Sequence, residues 1–128
     1  MKHLDLDHSI LITIREGLGL ASDDTSFDTE LIMHIVAAIA RLNQNGVGNL
    51  VSVYDDTTTW KDLKDETQAE GNKLFNLVPI FVLMSTKLIF DPPAPSIIDH
   101  YVRTADELLW RLKIAYEKPT TEEVIPVE

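Results

Sequence analysis

The sequence predicts an all-α fold, a compact bundle of four to five helices around one buried central helix. Residues 74–90 are apolar on nearly every side, and a helix of that kind must be covered by other elements. Apolar residues also recur at helical spacing over 31–42 and 97–116. The chain has 128 residues, enough to bury one core but not two, so a single helical domain is expected over 9–117.

Two helices are predicted in the first third of the chain. Residues 1–8 are expected to be a flexible N-terminus, and a first short helix is expected over 9–16. Asp28 has the side chain of a good N-cap for the second helix, and Gly46 follows its end. The predicted core face of this second helix consists of Leu31, Ile32, Ile35, Val36, Ile39 and Leu42.

The middle of the chain predicts one very short helix. Residues 51–54 fit either a short strand or an extended loop. Thr59 and Asp62 have the spacing of a capping box, with aspartate in place of the usual glutamate. This pattern predicts that a third helix starts here.

A pair of prolines separates the last two predicted helices. The central helix contains Pro79, which must either kink it or belong to its first turn, and the prolines after Asp91 end it. Ser96 and Asp99 are the expected cap of the fifth helix, which should run to about residue 117.

The fifth helix has apolar residues on two sides. Trp110 and Ile114 lie on its charged side, and they are neighbours because they are four residues apart. An exposed Trp–Ile pair is typical of a protein–protein contact. The alternative is a fold that covers this helix on both sides. The predicted core face consists of Ile97, Ile98, Tyr101, Val102, Ala105, Leu108, Leu109, Leu112, Ala115 and Tyr116.

The second helix shows a fainter pattern of the same kind. Met33, Ala37 and Ala40 form a strip of mostly small residues outside its core face. Such a strip would allow the backbone of a partner to approach closely. The alternative is that these residues are simply good helix formers at surface positions.

Composition and motifs argue against an enzyme. The chain has no cysteine, which removes a thiolate metal site and a cysteine nucleophile. It also lacks the E-x-x-E and E-x-x-D motifs with which small helical nucleotide pyrophosphohydrolases hold magnesium. His3, Asp5, Asp7 and His8 could be drawn as a metal cluster, but nothing would hold them rigid. We therefore expect no catalytic residue, no metal, no cofactor and, from the polar residues within 74–90, no membrane span.

The chain is acidic, with a formal net charge of -10. Binding to the outside of duplex DNA depends on lysine and arginine, so we expect none. The charge fits either a surface that repels a polyanion or plain solubility.

Five segments resemble the head–tail connector proteins, also called adaptor or head-completion proteins, of long-tailed bacteriophages. They occur in the family's order across most of residues 9–117. Pro79 departs from the family pattern, which usually has ordinary helix formers at this point. The five segments are 27–35 (FDTELIMHI), 42–48 (LNQNGVG), 58–62 (TTWKD), 87–93 (KLIFDPP) and 107–112 (ELLWRL).

The resemblance implies an all-helical structural protein of the virion. It implies a homo-oligomeric ring, a dodecamer, on the portal protein, which lengthens the DNA channel and offers a docking surface to a tail-side connector or tail terminator protein. Genomic DNA would pass through without specific binding. Assembly in the host cytoplasm would place the protein at the head–tail junction. A small acidic helical regulator or inhibitor that binds one partner is the alternative.

Two further sets of residues are expected to matter in such a ring. The DNA-channel wall is expected to include Asp55, Asp56, Asp62, Asp65 and Glu66. An acidic C-terminal tail, 118–128, contains Val124, Ile125 and Val127 as candidate anchors on a ring neighbour or on the portal.

Overall fold

The computed structural model describes residues 5–117, and this part of the chain is all-helical, as predicted. Within it there is no sheet, and a single antiparallel bridge pairs Ser9 with Thr59. Residues 51–54 lie in a loop rather than a strand. The helices are α1 (Ile10–Gly17), α2 (Asp28–Gln44), α3 (Trp60–Leu63), α4 (Leu77–Phe90) and α5 (Pro95–Tyr116), with a 3-10 turn at Gly71–Leu74.

The central element is α4, because α2, α5 and α1 all pack against it. Val78, Phe81 and Val82 are fully buried at these contacts. The prediction that α4 is covered on every side is wrong, since Ile80 is 46% exposed and Ile89 is 62% exposed. Three neighbours do not enclose a fourth helix completely, so part of its apolar surface faces solvent.

Pro79 is accommodated by the place at which α4 begins. The sequence predicts a helix from residue 74, but 71–74 form the 3-10 turn and α4 starts at Leu77. Pro79 is therefore the third residue of α4, where a backbone N–H would have no helical acceptor. Of the two predicted alternatives, the first-turn position is the one observed.

A buried ion pair holds the loop between α1 and α2. Arg15 is 2% exposed; its Nε donates to Oδ1 of Asp28 at 3.0 Å, and its Nη2 donates to Oδ2 at 2.6 Å. The prediction of Asp28 as the N-cap is wrong, because Asp28 is the first residue of α2 and Phe27 occupies the cap position. Bidentate bonds from a guanidinium are stronger than a bond from one backbone N–H, which explains the difference.

The segment before α1 is hydrogen-bonded to α3. The backbone N–H groups of Trp60 and Lys61 donate to the carbonyl oxygens of His8 and Leu6, respectively. Residues 5–8, the described part of the predicted flexible N-terminus, thus form an ordered contact in the structure. The mobility of the terminus in solution stays a prediction.

The capping box predicted for α3 is confirmed. The Thr59 hydroxyl accepts from the Asp62 N–H at 3.3 Å, and the Asp62 carboxylate accepts from the Thr59 N–H at 2.9 Å. This box orients Trp60, which is fully buried and whose Nε1 donates to the Thr13 hydroxyl on α1 at 3.0 Å. The short helix therefore fixes a large core side chain.

The start of α5 differs from the prediction. The expected cap by Ser96 and Asp99 is wrong: α5 begins at Pro95, Ala94 precedes it, and no side chain caps the helix. Proline suits the first helical position because its φ angle is preset and the missing N–H would have no acceptor there.

One hydrophobic core includes side chains from all five helices, among them Ile14, Leu31, Trp60, Val82 and Leu112. None of the helices found over residues 5–117 has the length and apolar character required to span a bilayer. The predicted acidic tail, 118–128, lies outside the described residues.

Candidate interaction surfaces

The outer face of α5 carries two large apolar side chains. Trp110 is 62% exposed and Ile114 is 47% exposed, so the described residues leave both uncovered. Charged side chains flank them: Arg111 donates from Nη2 to Oε2 of Glu107 at 2.7 Å. The predicted position of the pair, away from the core face, agrees with the structure. Their contact with a partner stays a prediction.

The core face predicted for α5 is wider than the one observed. Ile97 is 49% exposed and Val102 is 40% exposed, although both were assigned to the core by their spacing. Ala105, Leu112 and Tyr116 are buried. The buried stripe is narrower because α5 packs mainly on α4 and the 3-10 turn.

The outer face of α2 forms a second apolar strip. Met33 is 64% exposed, and Ala37 and Ala40 are exposed beside it, as predicted for a surface strip. Val36, which the sequence pattern placed in the core, is 44% exposed and belongs to the same strip. These four residues, called the α2 strip below, have the i, i+3, i+4 and i+7 spacing of one helix face.

A groove lies between α2 and α5 and was not predicted from the sequence. Its floor is the C-terminal half of α4, and an ion pair between Arg41 and Asp106, 3.7 Å apart, lies at its edge. The guanidinium of Arg41 also lies 5.5 Å from the centre of the Phe81 ring. The lining residues are His34, Ala37, Ala38, Arg41, Ser85, Leu88, Ile89, Val102, Ala105 and Asp106. No local pattern in the sequence indicates this groove, because its lining residues come from three separate helices.

The acidic residues predicted for a DNA-channel wall lie mostly in turns. Asp55 accepts from the Thr57 hydroxyl and N–H, at 2.6 and 2.9 Å, and Asp65 makes the same pair of bonds to Thr67. These hydrogen bonds hold the pKa of Asp55 and of Asp65 below the ordinary value of an aspartate. Asp62 serves the capping box of α3.

Three of the five predicted wall residues thus shape local structure as well as carrying charge. Asp55, Asp56, Asp62 and Glu66 are exposed and Asp65 is partly exposed. Whether they face DNA stays a prediction. The same loop exposes two apolar side chains, Leu50 at 88% and Tyr54 at 81%.

The described residues hold no group of three or more metal-ligating side chains. His34, on the polar side of α2, lies 3.3 Å from Glu30 and is bonded within its own helix. His3 lies outside residues 5–117, as do the candidate anchors Val124, Ile125 and Val127. The described residues thus present two apolar helix faces, the groove between α2 and α5, and a hollow on α5 lined by His100, Arg103, Thr104, Asp106, Glu107 and Trp110.

An acidic helical domain with apolar residues on the outer faces of two helices has the properties of an assembly subunit. The family model described as phage connector protein matches residues 10–119. The chain therefore belongs to the phage head–tail connector family, a family of structural proteins located at the head–tail junction of the virion. No curated protein and no solved structure gives a significant match.

Proposed function

We propose that this chain is the subunit of a ring, a dodecamer, that assembles on the phage portal, extends the DNA channel and offers the tail its docking surface. The observation that carries this proposal is the presence of exposed apolar residues on two different helices, α2 and α5. A closed ring needs two unlike contact surfaces on each subunit, because its interfaces are heterologous. Membership in the connector family supports the same role.

The alternative, a small regulator or inhibitor that binds one partner, requires only one contact face. The α2 strip and the Trp110–Ile114 face lie on two different helices, which both pack mainly on α4. Two separate faces therefore favour the ring subunit.

The charge of the chain supports a passive conduit. A net charge of -10 keeps the subunit from adhering to the DNA that must move past it. In this proposal the exposed acids of the 55–66 region contribute to the wall of the channel. The subunit remains unassembled in the host cytoplasm until a portal is present.

The direct test is assembly on the portal protein of the phage that encodes this chain. The purified chain is mixed with purified portal, and the mixture is separated by size and viewed by electron microscopy. We expect co-migration and an added ring of density on one end of the portal. Lys61→Ala, at an exposed residue of α3, a helix that carries neither apolar face, is the matched control and should bind equally. A chain that stays monomeric beside intact portal would refute the proposal.

A further inference from the structure

We propose that the α2 strip of one subunit is the docking surface for α5 of the next subunit, with the two helices antiparallel. Trp110 then packs over Ala37 and Ala40, and Ile114 packs beside Met33. The partner is a second copy of this chain, so the inference rests on the proposed ring and adds which surfaces form its repeated contact.

The sizes of the side chains match in this arrangement. Met33 and Ala37 are one helical turn apart, as are Trp110 and Ile114, and each pair spans about 6 Å along its helix. In the antiparallel register the largest exposed side chain, Trp110, lies over the two smallest residues of the strip. The small residues leave room for the indole, and the apolar ends Met33 and Ile114 meet each other.

The charges beside the two faces favour the antiparallel direction. On α2, Glu30 precedes the strip and Arg41 follows its end; on α5, Glu107 precedes Trp110 and Lys113 follows it. Antiparallel packing brings Arg41 close to Glu107 and puts Lys113 within one turn of Glu30, and both contacts pair opposite charges. The same register leaves one like-charge contact, Glu30 opposite Glu117, at the C-terminal end of α5.

Parallel packing at the same place gives a poorer match. It would put Met33 opposite Asp106 and bring Arg41 beside Lys113, and only Glu30 would gain a partner, in Arg103. Like charges in contact disfavour an interface. The contact of Arg41 with Asp106 inside the subunit, at 3.7 Å with both side chains at least half exposed, is weak enough to leave Arg41 available to a neighbour.

The proposed contact uses two different surfaces of each subunit, as a ring requires. The α2 strip and the Trp110–Ile114 face are both exposed and lie on two different helices, on either side of the groove that carries the Arg41–Asp106 ion pair at its edge. A subunit that uses its α2 strip for one neighbour still presents α5 to another. Such a heterologous contact propagates from subunit to subunit and closes only as a ring.

The absence of cysteine from the chain permits a sharp cross-linking test. The double variant Met33→Cys/Ile114→Cys is incorporated into phage particles, oxidised and run on a non-reducing gel. We expect a ladder of dimers, trimers and longer covalent multimers. The matched control is Ala40→Cys/Ile114→Cys: in the antiparallel register these positions are about two helical turns apart, too far for a disulfide, whereas they would be adjacent in the parallel one. The single variants should give no ladder.

Two results would overturn the pairing. One is incorporation of the Met33→Cys/Ile114→Cys chain without a ladder, and the other is a ladder from the Ala40→Cys/Ile114→Cys control. If the unsubstituted chain is itself absent from particles, the proposed ring function fails instead. The two failures are therefore distinguishable.

A charge reversal provides an independent measurement. Arg41→Glu should lower the number of connector copies per particle by about tenfold or more, since it places two acids in contact. Adding Glu107→Arg should restore them. Within one subunit Arg41 lies 3.7 Å from Asp106, the residue next to Glu107, so the melting temperature of the free variants is measured as well. A rescue supports contact between subunits when the Arg41→Glu chain and the double variant melt at the same temperature. No rescue by Glu107→Arg would contradict the proposed register.

Discussion

At the scale of single residues, the buried Arg15 decides how the first two helices meet. Its guanidinium binds Asp28 through two hydrogen bonds and the Ser22 carbonyl at 2.6 Å through a third. The hydrogen bond to Asp28 raises the pKa of Arg15 above its ordinary value, against the effect of burial. A charge this far from water is stable only while its partners remain.

Removal of the partner should therefore destabilise the protein strongly. Asp28→Ala leaves the Arg15 guanidinium buried without a carboxylate, and we expect the free energy of unfolding to fall by about 3 kcal/mol. Urea denaturation at neutral pH measures the change. Asp23→Ala, at an exposed aspartate of the same loop, is the control and should change stability by less than about 0.5 kcal/mol. Equal effects of the two substitutions would show that the ion pair is not what holds the loop.

Tyr116 joins the C-terminal end of α5 to the 3-10 turn. Its hydroxyl donates to Oδ1 of Asn72 at 2.7 Å, and its ring covers Gly71, where an added Cβ would collide with the ring carbons. Glycine is needed here because the ring occupies the space of a side chain. Burial raises the pKa of Tyr116 from 10.0 to about 12.

This raised pKa predicts a loss of stability in alkali. The folded state keeps the Tyr116 hydroxyl neutral, so its contribution is fully present below pH 10 and is lost as the pH rises from about 10 to about 12. Tyr116→Phe should lower the free energy of unfolding by about 1 kcal/mol at pH 8, because the bond to Asn72 is lost, and should make the decline above pH 10 shallower. Urea titrations at a series of pH values measure both effects.

The control is Tyr54→Phe, since Tyr54 is 81% exposed. This variant should follow the pH dependence of the unsubstituted chain. If the free energy of unfolding of Tyr116→Phe fell as steeply in alkali as that of the unsubstituted chain, burial of the Tyr116 hydroxyl would not be the cause of the alkaline instability.

At the scale of helices, the two tryptophans separate folding from assembly. Trp60, at the start of α3, is fully buried and bonded to Thr13. Trp110, on α5, has no such cover and is 62% exposed. Tryptophan is thus a core residue in α3 and an exposed residue of a proposed contact surface in α5.

Alanine at each position should give opposite results. Trp110→Ala is expected to weaken ring assembly by about 2 kcal/mol, as at an interface hot spot, and to leave the melting temperature of the subunit nearly unchanged. Trp60→Ala should destabilise the subunit by about 3 to 5 kcal/mol, because it opens a cavity in the core. Thermal unfolding and portal-binding assays distinguish the two. A large fall in the melting temperature of Trp110→Ala would place Trp110 in the core.

At the scale of the whole molecule, charge governs the relation to DNA. The chain has 21 acidic residues against 11 lysines and arginines. A protein with this balance has few counterion-releasing contacts to offer a phosphate backbone. The turn-forming acids Asp55 and Asp65 have lowered pKa values and so remain charged well below neutral pH.

The free subunit should therefore show no measurable binding to duplex DNA at physiological salt. A gel shift at submicromolar protein measures this directly. A control in which three exposed acids are reversed, Asp55→Lys, Asp56→Lys and Glu66→Lys, should increase binding as the salt concentration is lowered. Duplex binding by the unsubstituted chain, or a ring lumen lined mainly by lysine and arginine, would favour a ring that grips DNA.

Local chemistry determined most of what could be predicted at the level of elements. The capping box at Thr59 and the helical spacing of apolar residues depend only on near neighbours in the chain, whereas the choice between a kink and a first-turn position for Pro79 was left open. The charged surroundings of Trp110 and Ile114 likewise placed them outside the core. The family resemblance, read from five short segments, was confirmed by the family match over residues 10–119.

Tertiary packing decided what the sequence alone left open or predicted wrongly. Asp28 became the partner of Arg15 instead of a helix cap, and Val36, Ile80 and Val102 became exposed although their spacing suggested burial. The groove between α2 and α5 forms because both helices pack against α4. Periodicity shows that a helix has an apolar face, but how much of that face is buried depends on which helices pack beside it, and no local pattern contains that information.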